Sequence, residues 1–232
     1  MSAQPEPRVP LSRERVLGAA IALADTGGLA TLTMRSLAQS LGVEAMSLYY
    51  HVANKEALLD GVVETLVDEV AEEIGGFAVQ PGVADWVPVM RGRVLAARRV
   101  MLRHRWAPAL IETRTTMPAG LVRYFDSMLG IMIEGGFSND LAHHAMHAMG
   151  SRFLGFDQEL FKPDAAAPDA ATEAMLEDLA AQLPYLSAML AEVAHDDPDS
   201  TLGWCDDQAE FEFTLDILLE GLERRRSLRD VG

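Results

Sequence analysis

A chain of 232 residues that is 49% apolar has material for one large core or two modest ones, which excludes an intrinsically disordered protein. Its single cysteine, Cys205, excludes an internal disulfide or a multi-cysteine metal site; with no run of about 18 apolar residues and no apolar core in MSAQPEPRVPLSRER, the expectation is a cytoplasmic chain that neither spans a membrane nor is secreted. A formal net charge of −16 excludes indiscriminate adhesion to nucleic acid through a basic surface.

In chain order, Ser12 is placed to cap a first helix reaching about Asp25, with Val16, Leu17, Ala20, Ile21 and Ala24 on its inner side. Thr26-Gly27-Gly28 ends it. Thr33 caps a second, short helix whose Leu37, Ala38 and Leu41 share a face, and Gly42 stands where that helix stops and turns. A third helix is expected from about Glu44 to Tyr50, with Leu48 as its inward plug and Val43 beside it. Ala38, Gly42 and Leu48 thus carry the spacing of a helix-turn-helix: a small residue at a close crossing, a turn residue tolerant of positive φ, and an apolar plug. Asn54 then caps a long helix from Lys55 to about Ile74, spanning roughly 30 Å. Gly75-Gly76 through Pro81-Gly82 breaks the chain.

Beyond the break the periodicity predicts helices near 84–104, 107–114, 118–135, 138–160, 172–194 and 206–227, and no strand pattern occurs. Lys162 to Ala171 reads as a flexible loop and His195 to Thr201 as an acidic turn. Phe211, Leu215, Leu218, Leu219 and Leu222 form a broad apolar stripe on the last helix, suited to a core and to a partner subunit. The fold class is therefore all-α, with a helix-turn-helix domain over 1–60 and a helical ligand-binding and dimerisation domain over 61–232.

The head can read DNA without being basic. Residues 1–56 hold five cations (Arg8, Arg13, Arg15, Arg35, Lys55) and five anions (Glu6, Glu14, Asp25, Glu44, Glu56), so all of the −16 lies beyond them. A neutral head on an acidic body must gain affinity from specific contacts and helix termini. With Leu48 facing inward, Ala45, Met46, Ser47 and Tyr49 are the candidate base readers, and Tyr50 and His51 suit phosphates or sugars. Both tyrosines could instead be packing aromatics. Arg35 can take guanine O6 and N7 bidentately, or else a phosphate. Lys55, in the first turn of the long helix, makes a phosphate clamp with the helix terminus, and Thr33 does similar work through hydroxyl and amide.

Thr33, Arg35, Leu37, Ala38, Leu41, Gly42 and Val43, then Leu48-Tyr49-Tyr50-His51, Asn54-Lys55 and Leu58-Leu59, together resemble the tetracycline-repressor (TetR) family. Trp86, Gly136-Phe137-Ser138, Phe211-x-Phe213-x-Leu215 and Gly221-Leu222-Glu223 extend the resemblance to the regulatory domain of the tetracycline-repressor subgroup. The resemblance implies a homodimeric repressor of double-stranded palindromic operator DNA, its two copies joined through the helices near 138–160 and 206–227. It also implies that Arg35 is the guanine reader. Ala53 stands where relatives often carry a cation. A small-molecule inducer is implied, lined by Arg93, Ile111, Met128, His143 and Met146, with His147 on the same face as His143.

The family's metal-binding histidine falls on Ile111 and its second ligand-contacting histidine near Ala71, so tetracycline–magnesium chemistry is not expected. The many methionines of 84–160 fit a largely apolar inducer instead. No cofactor is expected and no metal residue is assigned. His143 and His147, four apart, keep open a second reading, a sensor of a metal or metal chelate. A helical interaction module without DNA binding is a third. An enzyme is not expected: Gly-x-Ser-x-Gly, a phosphate loop and His-Glu-x-x-His are all missing.

Overall fold

The computed structural model describes residues 10–82, 85–153, 182–185, 188 and 207–229. The chain divides into two compact units, Met1–Leu154 and Gly155–Gly232. Among the described residues all regular structure is helical.

The first unit opens with α1 (Arg13–Gly27), where Ser12 accepts a bond from the Arg15 N–H and the expected five apolar residues are buried. After a 3₁₀ turn, α2 (Met34–Leu41) starts at Thr33 and ends at Gly42, whose φ of 66° is the left-handed conformation a side chain would oppose. The Val43 N–H closes that turn on the Ala38 carbonyl at 3.0 Å. The next helix, α3 (Ala45–Leu48), is shorter than the predicted Glu44–Tyr50. Both the His51 and Val52 N–H groups return to the Leu48 carbonyl at 2.9 Å, so the chain bends there and carries Val52 into the core.

Asn54 accepts from the Ala57 N–H at 2.8 Å and starts α4 (Lys55–Ile74), which buries Leu58, Leu59, Val62, Val63, Leu66, Val67 and Val70. This helix packs against α1 and also against α5 (Trp86–Arg103), α6 (Ala107–Glu112) and α7 (Ala119–Glu134), so it joins the head to the helices that follow. α1 approaches it at Gly61, where a Cβ would stand 2.8 Å from both Leu17 Cδ2 and Arg13 Nη2. The branched side chain of a Gly61→Val variant must push the ends of the Leu17 and Arg13 side chains aside in the packed seam with α1. We expect it to lower stability by about 1–3 kcal/mol in a urea titration.

The turn from α7 into α8 (Asn139–Phe153) is built around an indole. Trp86, fully buried at the start of α5, meets Phe137 edge to face with ring centroids 4.6 Å apart. Gly135 admits it: a Cβ there would lie 2.8 Å from Trp86 Cβ. Gly136, with φ 90°, then turns the chain.

In the second unit, α9 (Asp207–Arg229) buries Phe211, Leu215, Leu219 and Leu222, at intervals of one helical turn. Leu218, expected in that stripe, is only half-buried, while Phe213, Ile217 and Leu228 are exposed. The predicted loop at Lys162–Ala171, the turn at His195–Thr201, most of the 172–194 helix, the end of the 138–160 helix and Cys205 lie outside the described residues.

Candidate nucleic-acid interface and ligand site

The head presents a polar and aromatic surface over a closed core. Leu48 is fully buried, yet its neighbours on α3 turn outward: Met46 is 72% exposed, and Ala45 and Ser47 are half-buried. Tyr50 is 89% exposed and does not pack into the chain that carries it, while Tyr49, 43% exposed, is covered on one side only. Arg35 is exposed in the first turn of α2, and Lys55 in the first turn of α4. His51 is half-buried, and its carbonyl accepts a bond from Arg13 Nη1 at 3.3 Å, which ties the end of the recognition segment to α1.

Thr33 is committed differently from the expectation. Its N–H donates to Ser36 Oγ at 3.0 Å and its Oγ1 accepts from the Ser36 N–H at 3.0 Å, a reciprocal cap. Its amide is thus engaged within the helix cap. An anion at this terminus would meet the Thr33 hydroxyl and the first amides of α2. A serine three residues after the cap was the signal for this.

Along α4, much of the acid is gripped by cations of the later helices. Arg114 Nη1 reaches Glu56 at 2.8 Å and Asp60 at 3.2 Å, while Glu64 accepts from the Gly120 N–H at 3.0 Å and faces Arg123 at 3.7 Å. Higher up, Arg103 holds Glu69 at 3.2 Å and Glu73 at 2.6 Å, and Arg99 holds Glu73 at 2.7 Å. His104 joins three helices: Nδ1 lies 2.8 Å from Asp25 of α1 and Nε2 lies 3.3 Å from Glu69 of α4. Trp106 Nε1 donates to the same Asp25 carboxylate at 2.7 Å. The position of α4 is therefore specified from both sides, head and body.

Arg103, followed by Arg99, holds the Glu73 carboxyl below the usual glutamate range, against the opposing pull of desolvation. A depressed folded-state value means that this contribution is full above the unfolded range and is lost as the pH falls below about 4. The partner arginines are half exposed, so the effect stays within about 1 kcal/mol. Urea midpoints should separate the wild type from Glu73→Gln at pH 7 and draw together only as the pH falls well below about 4.

Deeper in the body, α5 carries Arg93 into the interior, only 5% exposed. Its Nη2 donates to the Ala78 carbonyl at 3.5 Å, its Cζ stands 5.8 Å from the centroid of the Phe77 ring, and Nη1 has no partner among the described residues. Desolvation lowers its pKa, and Tyr124 acts in the opposite sense. Tyr124 meets Phe77 edge to face at 5.7 Å, and burial pushes its phenol well up, so it remains a protonated donor. Met128, one turn along α7, is fully buried.

The family profile described as "Bacterial regulatory proteins, tetR family" matches residues 16–62, and "Tetracyclin repressor-like, C-terminal domain" matches residues 80–226. The chain belongs to the TetR family. It is 33% identical to the class D tetracycline repressor of Escherichia coli over 159 residues, 68% of this chain and 71% of that one. It also resembles the crystal structure of a possible TetR family transcriptional regulator from Streptomyces coelicolor A3(2), at 30% identity and a TM-score of 0.69, covering 92% of this chain and 99% of that one. A third likeness is to a TetR variant from Acinetobacter baumannii AYE in complex with minocycline, at 25% identity and a TM-score of 0.62 over 94% and 95% of the two chains.

As a TetR-family protein the chain is a ligand-responsive transcriptional repressor, with the helix-turn-helix as its DNA-binding part. The positions read from the family's pocket scatter in burial. Arg93 and Met128 are buried and Ile111 is half-buried; on α8, Met146 is half-buried while His143 and His147 are exposed. The His143 and His147 rings stand edge to face with centroids 4.6 Å apart, but among the described residues no group of three or more His, Cys, Asp or Glu could hold a metal ion. Among the same residues no helix is long and apolar enough to cross a membrane. Sequence reasoning missed the isolation of Arg93 and the His104 junction. Neither has a local signature, because their partners lie 15 to 79 residues away.

Proposed function

We propose that the protein works in the cytoplasm as a homodimer, reading a palindromic double-stranded operator with two recognition helices about one DNA turn, roughly 34–36 Å, apart. The observation that carries this is the division of α3: Leu48 closes the head core while Met46, Tyr49 and Tyr50 are turned out. Residues 1–60 act as the reading head and residues 61–232 as the regulatory part. Arg35 reads guanine, Ala45, Met46, Ser47 and Tyr49 meet other base edges, and Thr33, Tyr50, His51 and Lys55 hold the backbone.

Dimerisation through α8 and α9 is supported by the exposed Phe213 and Ile217 on a helix whose other side is buried. The inducer is a small molecule contacting Arg93, Ile111 and Met128, and the α8 residues His143, Met146 and His147 would join it where the two copies meet. Its binding alters the grip on α4 and so the separation of the heads. The coupling requires a preference of about 1–3 kcal/mol for the non-binding arrangement.

A gel shift against the promoter region of the protein's own gene tests the reading. We expect sequence-selective retardation that Arg35→Ala removes, and light scattering that gives twice the chain mass. Absence of selective binding at any promoter contradicts it.

A further inference from the structure

We propose that the ligand taken by this body is an organic anion, and that the buried guanidinium of Arg93 is the group that recognises it. The inference rests on the reading of the body as a ligand sensor and narrows its chemistry. Arg99, Arg103, Arg114 and Arg123 each reach a carboxylate of α4. Arg93, on the same helix as the first two and more deeply buried than they are, reaches none among the described residues. Its one hydrogen bond among the described residues, to the Ala78 carbonyl, is at the long limit of such bonds. The Phe77 face supplies a weak electrostatic contact, and both protons of Nη1 are left unused among the described residues.

A cation withdrawn from water with neither counter-ion nor full hydrogen bonding is among the costliest groups a protein can hold. Such a group needs a partner that the described residues do not supply, and one that binds from solution can meet it. A metal cation is excluded from that role by charge. A wholly apolar inducer would leave the guanidinium as stranded as before. A carboxylate, sulfonate or enolate supplies the missing charge and accepts from a planar fork of donors.

The surroundings fix the rest of the ligand's character. Phe77 and Tyr124 offer aromatic edges and faces, and burial keeps the Tyr124 phenol protonated, hence able to donate a second bond to the anion. Ser127, one turn from Tyr124, spends its hydroxyl proton on the Tyr124 carbonyl at 2.5 Å and so has no further donor to offer. An aromatic or polycyclic acid matches this wall better than an inorganic ion. The largely apolar inducer expected from the methionines is thereby amended to an amphiphilic one with a negative end.

The full-length protein can be titrated with two fluorescent probes of similar shape: anionic 1-anilinonaphthalene-8-sulfonate and neutral N-phenyl-1-naphthylamine. We expect both to bind saturably, and Arg93→Gln to weaken the anion by about tenfold or more while leaving the neutral probe within about twofold. Arg93→Lys should recover part of the loss, and millimolar inorganic phosphate should not displace the anion. In the ligand-free protein, Arg93→Met should raise Tm by about 2–8 °C, because it removes a stranded charge. A cooperative melt recorded for each Arg93 variant shows that it folds.

An anion affinity indifferent to Arg93→Gln, or displaced by phosphate, overturns the proposal while leaving a ligand sensor that binds the neutral probe. Failure of the neutral probe as well as the anionic one overturns the sensor reading with it.

Discussion

An Arg35→Ala variant is expected to lose operator affinity by roughly 30-fold to 20,000-fold with no change in thermal stability. The magnitude follows from the chemistry of one guanidinium on guanine, about 1–3 kcal/mol per half-site, applied at both half-sites of a dimer. Stability should hold because Arg35 is exposed in the first turn of α2, and the cap that starts this helix belongs to Thr33 and Ser36. The loss should also be selective: affinity for unrelated DNA falls far less, and specificity relaxes at one base pair of each half-site.

Lys55→Ala provides the contrast. A phosphate contact carries no sequence information, so this variant should weaken all sequences alike and reduce the salt slope by about one ion per head. Fluorescence anisotropy at two or more salt concentrations separates the two behaviours. Equal losses on operator and random DNA for Arg35→Ala would assign it to the phosphate backbone.

The second large effect lies in the body. Trp86→Ala should destabilise the protein by about 3–5 kcal/mol, a fall in Tm of roughly 6–20 °C for a chain of this size. The indole is 1% exposed, abuts Phe137 edge to face, and fills the space left by Gly135. Removing it empties the corner that directs α7 into α8, and the surrounding helices cannot close over so large a void. Operator binding should weaken as well, since α8 is one of the two helices assigned to the dimer. Trp86→Phe retains an edge-to-face partner for Phe137 and should cost less than half as much by the same urea or thermal measurement. A loss below about 1 kcal/mol for Trp86→Ala would show that the corner is held by other contacts.

The starts of α1, α2 and α4 were legible in the residues because a cap is local: Ser12, Thr33 and Asn54 each bond to a backbone amide three residues on. Gly42 was legible for the same reason, a turn whose conformation suits a residue without a side chain. The end of α3 was not, because it is set by Val52 turning into the core, a tertiary demand that overrides the helical pattern continuing through Tyr50. Gly61 carried no signal either, since a glycine inside a helix gives no indication of which neighbour comes close.

The acidic stripe of α4 could be seen at helical spacing, at Glu56, Asp60, Glu64 and Asp68, but its meaning could not. Its partners come from Arg114, Gly120 and Arg123, more than 50 residues later. Part of the acidic body's charge is thus a set of fixed contacts that place the helix beneath the reading head. Among the proposed site residues, the exposure of those of the head was legible because polar and aromatic residues flank an inward-facing leucine on a short helix. Arg93 could be placed in the body by resemblance, but its want of a counter-ion depends on what the fold fails to bring near it.

The most direct test of the whole account is a footprint of the protein on the promoter region of its own gene. Two protected major-groove segments related by a palindrome, centred about 10 base pairs apart on one face of the duplex and lost together in Arg35→Ala, are the predicted result. A single protected half-site, or protection that follows no sequence, would contradict it.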